Sequence, residues 1–255
     1  FPFLALKDEC KKIPLTFFPG EILSRATASK LEKMNCLYVG DLMFLHNDDM
    51  KSVFSEKDYF YLYNTIARYA SISLETFLIQ YFEVDGKEDR NIQILLARAA
   101  GDTLQEIGDK YGATRERVRQ IVEKSLKRYQ EVFVECAYRL MCKNDKKYIE
   151  LSVVNDVFNS NTLDAIFIFI LKNDKRFTYL DFAEVFVDSD AFPSCKERLV
   201  CDLTNLVGSE IDLVKNTELL EDYLLNNNIC FLSVQSLAEL LCLSGYRKYG
   251  TLLTK

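Results

Sequence analysis

The 255-residue sequence is poor in the residues that interrupt helices, with four prolines and nine glycines in all. That scarcity excludes a collagen-like chain and argues against a turn-rich all-β fold, so a mainly α architecture is expected. Long apolar runs are missing too. The most concentrated one, AIFIFIL at Ala165–Leu171, falls far short of the ~20 residues that a membrane-spanning helix needs. The start, FPFLALKDECKK, has no basic region ahead of its apolar stretch, so no signal peptide is read there. Because the chain begins at Phe1 rather than Met, it is expected to be part of a longer protein. Histidine is nearly absent: His46, within HNDD, is the single one. A lone His beside two carboxylates is a poor basis for acid–base chemistry. No G-x-x-x-x-G-K-S/T loop, G-x-S-x-G elbow or H-E-x-x-H pair occurs. No catalytic residue, cofactor, metal site or small-molecule substrate is therefore expected, and the chain reads as a non-enzyme.

Eight cysteines stand at 10, 36, 136, 142, 195, 201, 230 and 242, and none forms a C-x2-C pair. The closest pairs, Cys136/Cys142 and Cys195/Cys201, have five residues between them, which does not suit zinc ligation. Most are expected to be small buried residues of a cytoplasmic, reduced protein.

What is present is an ordinary globular composition, 49% apolar and 27% charged, which excludes a disordered chain. Its length exceeds one typical domain of ~100–200 residues, so two or three are expected. The net charge of −6 is unevenly spread. Arg90–Tyr129 holds nine Lys/Arg against five Asp/Glu, a net of +4, which leaves −10 for the remainder. Six of those nine bases fall within Thr114–Arg128. A basic stripe on an acidic chain is an electrostatic footprint for nucleic acid.

Three parts are expected: 1–84, 85–143 and 144–255. In the first, Leu23, Leu31, Met34, Leu42 and Leu45 recur at helical spacings broken near Asn35, with Ser24 or Thr27 as cap and Gly40-Asp41 as a turn before a second helix. A further helix is expected over Glu56–Ala70, its Tyr59, Phe60, Tyr61, Tyr63 and Tyr69 being core or interface residues. Asp85–Asp89 reads as a linker.

In the second part, Ile92, Leu95, Leu96 and Ala99 mark an amphipathic helix ended by Gly101. Thr103 or Asp102 caps a short helix with Leu104, Ile107 and Tyr111 on its apolar face. Gly112-Ala113 turns the chain, and Thr114 opens a long helix with an apolar repeat of Val118, Ile121, Val122 and Leu126. Such a pair is a helix-turn-helix. The DNA-binding candidates are Thr114, Arg115, Glu116, Arg119, Gln120 and Lys124, on the polar side of that second helix. Arg bonds guanine bidentately, Gln bonds adenine, and Glu accepts from cytosine N4. The competing reading keeps Glu116 and Gln120 bonded within the helix and the arginines solvated.

The stretch DTLQEIGDKYGATRERVRQIVEKSLKRY, Asp102–Tyr129, resembles the fourth conserved region of bacterial primary sigma factors. That pattern runs T-L-E-E-I/V-G, a short spacer, then V/T-T-R-E-R-I/V-R-Q-I-E-x-K-A-L. The resemblance implies promoter DNA contacts at Arg115, Glu116, Arg119, Gln120 and Lys124, and RNA polymerase as partner in transcription initiation or its regulation. Departures are Ala113 for Val, Val122 for Glu and Ser125 for Ala, none of which removes an implied base contact. Nothing in the chain resembles the region that melts the downstream promoter element. The alternative is a module that docks on polymerase or a regulator without reading DNA.

LSRATASKLEKMNCLYVGDLMFL, Leu23–Leu45, is similar to the C-terminal domain of the RNA polymerase alpha subunit, whose run L-S/T-V-R-A/S-x-N-C-L-K precedes I/V-G-D/E-L. Aligned on Gly40-Asp41-Leu42, Ala26 and Ser29 stand where that family carries its DNA-contacting Arg and Asn, with Arg25 one position early. Its N-x-G-K-K-S hairpin has no counterpart, because Asp48–Tyr59 lacks glycine. Protein contact is the expected role of this part.

The third part is acidic, with nine Lys/Arg and sixteen Asp/Glu over Glu150–Lys255. Helices are expected at Thr162–Lys172, Thr178–Val187, Ser194–Val207, Thr217–Leu225 and Ser233–Leu243. A turn over Gly245–Gly250 and a strand over Thr251–Thr254 complete one or two winged-helix-like modules. Its charge argues against broad DNA binding.

Overall fold

The computed structural model describes residues 6–68, 71–85, 89–143, 146–190, 192–227, 229 and 232–254. The fold is mainly α, and residues gather into two compact units: 1–140 with 155–171, and 141–154 with 172–255.

The first unit opens with α1 (Asp8–Lys11), a 3-10 turn (Leu15–Phe17) and α2 (Arg25–Lys33). Ser24 is the α2 cap, its hydroxyl accepting from the Thr27 amide at 3.3 Å. The helix ends where Asn35 adopts a positive φ. The expected turn at Gly40-Asp41 is instead the middle of a 3-10 helix, Val39–Phe44. The Asp41 carboxylate accepts from the Leu37 and Tyr38 amides, both at 2.8 Å, which holds that segment wound. Then follow α3 (Asn47–Val53), α4 (Glu56–Arg68), α5 (Leu74–Gln80) and a π-helical turn (Tyr81–Asp85). The middle of the expected linker, 86–88, lies outside the described residues.

Three helices make the centre of the chain: α6 (Arg90–Ala99), α7 (Leu104–Tyr111) and α8 (Arg115–Lys143). The later half of α8 does different work from its start. Tyr129, Val132, Phe133, Cys136 and Ala137 are buried. Phe17 lies 5.2 Å from the Tyr129 ring and Phe82 5.1 Å from it, so the helix-turn-helix and the residues before it share one core. After α9 (Leu151–Asp156), α10 (Asn161–Asn173) brings Phe167 to 5.8 Å from Phe133 in the same core.

Among the described residues the second unit holds two antiparallel sheets of three strands each. The first is β1 (Tyr148–Glu150), β2 (Phe177–Leu180) and β3 (Val185–Asp188), in the order β1-β3-β2. The helix expected over Thr178–Val187 is thus a hairpin. Alternating FTYL and the β-branched VFV outweigh the helical spacing, and Glu184 turns with φ 50°. The second sheet contains β4 (Glu210–Asp212), β5 (Arg247–Tyr249) and β6 (Leu252–Thr254), in the order β4-β6-β5. Arg247–Tyr249, expected within a turn, forms a strand, and Gly250, at φ 64°, begins the turn that follows it. Between the strands run α11 (Phe192–Val207), α12 (Thr217–Asn226) and α13 (Val234–Leu243). The order helix–strand–helix–helix–strand–strand therefore occurs twice, from α8 to β3 and from α11 to β6, each time with the last strand central. Leu203, Ile211, Leu220, Leu237 and Leu253 bind the second set into one apolar core.

Of the six cysteines described with their side chains, Cys10, Cys36 and Cys136 are buried. Cys142 and Cys201 are exposed, against the expectation for most of the set. Among the described residues no helix is long and apolar enough to cross a membrane.

A candidate nucleic-acid interface

The helix-turn-helix is held by local bonds that the sequence dictates. Asp89 caps α6, its carboxylate accepting from the Asn91 amide at 2.7 Å. Arg90 donates to the Tyr111 carbonyl at 2.6 Å and so ties the start of α6 to the end of α7. A reciprocal box opens α7: Thr103 accepts from the Glu106 amide, and the Glu106 carboxylate accepts from the Thr103 amide at 2.7 Å. Gly112 ends the helix in the left-handed region, at φ 62°. Gly108 is as important. A Cβ there would lie 2.6 Å from the Ala113 carbonyl oxygen, so the turn folds back onto α7 only because position 108 carries no side chain.

Thr114 opens α8, its hydroxyl accepting from the Arg117 amide at 3.2 Å and its carbonyl from the Val118 amide at 3.0 Å. Val118, Ile121, Val122 and Ser125 are buried. Thr114, Arg115, Glu116, Arg119, Gln120 and Lys124 are all exposed. At 3.6 residues per turn, Arg115 and Lys124 stand about half a turn apart, at opposite edges of that exposed face, with Glu116 and Gln120 between them.

The middle of the face is internally bonded. Arg119 makes a two-point contact with Glu116, at 2.9 and 2.7 Å, and also binds Glu123. Gln120 donates to Glu116 at 3.2 Å, and Arg117 reaches Gln120 at 3.5 Å. The Arg119 and Gln120 donors hold the Glu116 carboxyl down to about 2, while the two carboxylates push the Arg119 guanidinium up. The Glu116 and Gln120 bonds weighed against DNA reading are thus formed. Exposed pairs of this kind contribute only ~0–1 kcal/mol, so opening them for a base edge costs little.

Sequence reasoning passed over Arg117 and Arg128. With Lys124 they lie at i, i+7 and i+11, which aligns them along one flank of α8, and that spacing was available from sequence. Among the described residues no three His, Cys, Asp or Glu side chains gather as a metal would require. His46 stands just before α3 and makes no side-chain cap bond there.

No curated protein and no solved structure is significantly similar to the chain. Residues 88–131, which hold α6, α7 and the first half of α8, match the family Sigma-70, region 4, a DNA-binding helix-turn-helix of transcription.

Proposed function

We propose that this protein binds duplex DNA in a sequence-specific manner by laying the start of α8 in the major groove, and that it acts in transcription initiation or its regulation with RNA polymerase. One observation carries the reading: an exposed face bearing Arg115, Arg119, Gln120 and Lys124 at the start of a capped second helix, within the segment matching Sigma-70, region 4. Arg119 and Gln120 are the base-reading donors, Glu116 is an acceptor for cytosine N4, and Arg115 and Lys124 serve the backbones at the two edges. Thr114 holds the helix start that points these groups at the groove. The target is promoter-like DNA.

The test is selection of binding sites by the full chain from a random duplex pool, followed by titration of the selected site against scrambled DNA. A recovered motif supports the reading, and recovery of none sinks it. The internal bonds of Arg119 favour a second reading, docking on polymerase without reading DNA. That reading predicts saturable binding to polymerase that survives the loss of every DNA motif. Exposed Phe44, Tyr59, Phe60 and Tyr61 suit the first part, 1–84, to protein contact. The acidic part, 144–255, is kept off DNA by its charge.

A further inference from the structure

Beside the helix-turn-helix the first unit contains a cleft of about 1000 Å³. Its cationic lining comes from four helices: Arg25 on α2, Lys57 on α4, Arg90 on α6, and Lys124 and Arg128 on α8. Against these five cations stand Glu21 and Asp89, and Asp89 is already engaged in capping α6. Among the described residues none of the five makes an ion pair with a carboxylate. Like charges without a carboxylate partner, gathered in a concave site, cost repulsion that a bound polyanion relieves.

The wall that carries Arg25 and Lys57 is built, not incidental. Asp58 is buried, and its carboxylate accepts from the Ser24 hydroxyl at 2.7 Å and from the Thr27 hydroxyl. This locks the start of α2 to the start of α4. Arg25 is the first residue of α2 and Lys57 the second of α4, so the lock joins the two helix starts that carry these cations into one cleft. Burial alone would push the Asp58 carboxyl up, yet the donors from Ser24, Thr27 and Ser55 prevail and hold it below the usual carboxylate range.

The opposite wall continues the α8 flank. At 1.5 Å per residue, Lys124 and Arg128 lie about 13 and 20 Å along α8 from Arg115. A recognition helix reads base edges with its N-terminal residues, and its later turns run toward the sugar–phosphate backbone, where Lys124 and Arg128 are then expected. We propose that this cleft clamps the DNA backbone flanking the groove read by α8, with Arg25 and Lys57 supplying phosphate contacts from outside the segment that matches the family. The proposal rests on the DNA-reading function above and assigns the acidic first part a role on DNA that exists only where its two cations face α8.

The experiment titrates the full chain against a labelled 30-base-pair duplex of mixed sequence between 50 and 200 mM salt. Its variants are Arg25→Ala with Lys57→Ala, a control of equal charge change with Lys33→Ala and Lys51→Ala, and the exchange Arg25→Lys with Lys57→Arg. Each phosphate contact contributes about 0.9 to the slope of log K against log salt, so the first pair should lower its magnitude by about 1.8. It should also weaken binding about tenfold or more at 50 mM, while the control and the exchange stay within about twofold of the parent. Equal slopes for the cleft pair and the control would overturn the clamp. If Arg119→Ala still relaxes preference at one base pair of the selected motif in that case, the DNA-reading function stands. A parent chain that binds no duplex overturns both.

Discussion

The start of α8 and the whole of α13 each follow a shorter or equal helix in the chain, α7 and α12, and they present opposite chemistry. The exposed face of α8 bears Arg115, Arg119, Gln120 and Lys124. That of α13 bears Gln235, Glu239 and Leu243, and the preceding helix α12 exposes Glu218, Glu221 and Asp222. The scaffolds bury comparable apolar stripes: Val118, Ile121 and Val122 in one, Leu237, Ala238 and Leu241 in the other. Residues that set the helices are therefore separable from residues that set the function, and a fold of this kind does not by itself imply DNA binding. The face decides.

The largest test of this comparison concerns the turns. Gly108→Val should cost about 3 kcal/mol, because the added carbons meet the Ala113 backbone. Gly250→Ala, in the open hairpin of the acidic unit, should cost about 1 kcal/mol from its positive φ alone. Urea denaturation followed by circular dichroism measures both, and equal costs would show that the crossing at Gly108 is no tighter than the hairpin.

Next in size is Arg119→Ala, expected to weaken binding to a selected site by about 1–3 kcal/mol and to relax preference at one base pair. With the Glu116 carboxyl held to about 2, the face keeps its charge from pH 5 to 8 and the loss should be constant over that range. A uniform loss across all sequences would make Arg119 a phosphate contact.

A smaller effect separates the carboxylates of the two units. Asp58→Asn should destabilise by about 1 kcal/mol, since it weakens bonds from Ser24 and Thr27 in a buried place. Asp212, which accepts from the Lys215 and Val214 amides in the second unit, is more exposed, and Asp212→Asn should matter less. Both carboxyls lie below the usual range when folded. Their stabilisation is therefore complete above ~pH 4 and fades as pH falls through the folded value. The Asp58→Asn deficit should accordingly shrink from pH 5 to pH 3 in thermal melts, and a deficit that grows on acidification would contradict the assignment.

The smallest effect comes from the acidic face. Glu218→Gln with Glu221→Gln and Asp222→Asn should raise affinity for mixed-sequence DNA by about twofold at low salt and not at all at 0.5 M, given a Debye length of ~10 Å at 0.1 M. A rise that persists in high salt would point to direct contact rather than field.

Much of this was legible because it is local. Ser24, Thr103, Thr114 and Ser233 cap helices by bonds to amides three residues away, and such bonds are written in the order of residues. The mainly α fold and the helix-turn-helix followed from the same short-range signals. The hairpin at 177–188 is not legible locally as strands, because the third strand of its sheet, β1, pairs Tyr148 with Val187 across two intervening helices. Likewise β4 finds β6 only when Glu210 meets Thr254. Strand identity there depends on partners that no local window contains.

The sequence by itself determined the capped helix starts at Ser24, Thr103 and Thr114, the apolar stripe and polar face of α8, and the acidic balance, since each is a matter of spacing or composition along the chain. Tertiary structure decided which cations are neighbours. Arg25, Lys57, Arg90 and Arg128 lie far apart in the chain and line one cleft because Asp58 joins α2 to α4 and Phe17 packs on Tyr129. The physical reason is that charge acts through space within about a Debye length, while the order of residues records only distance along the backbone.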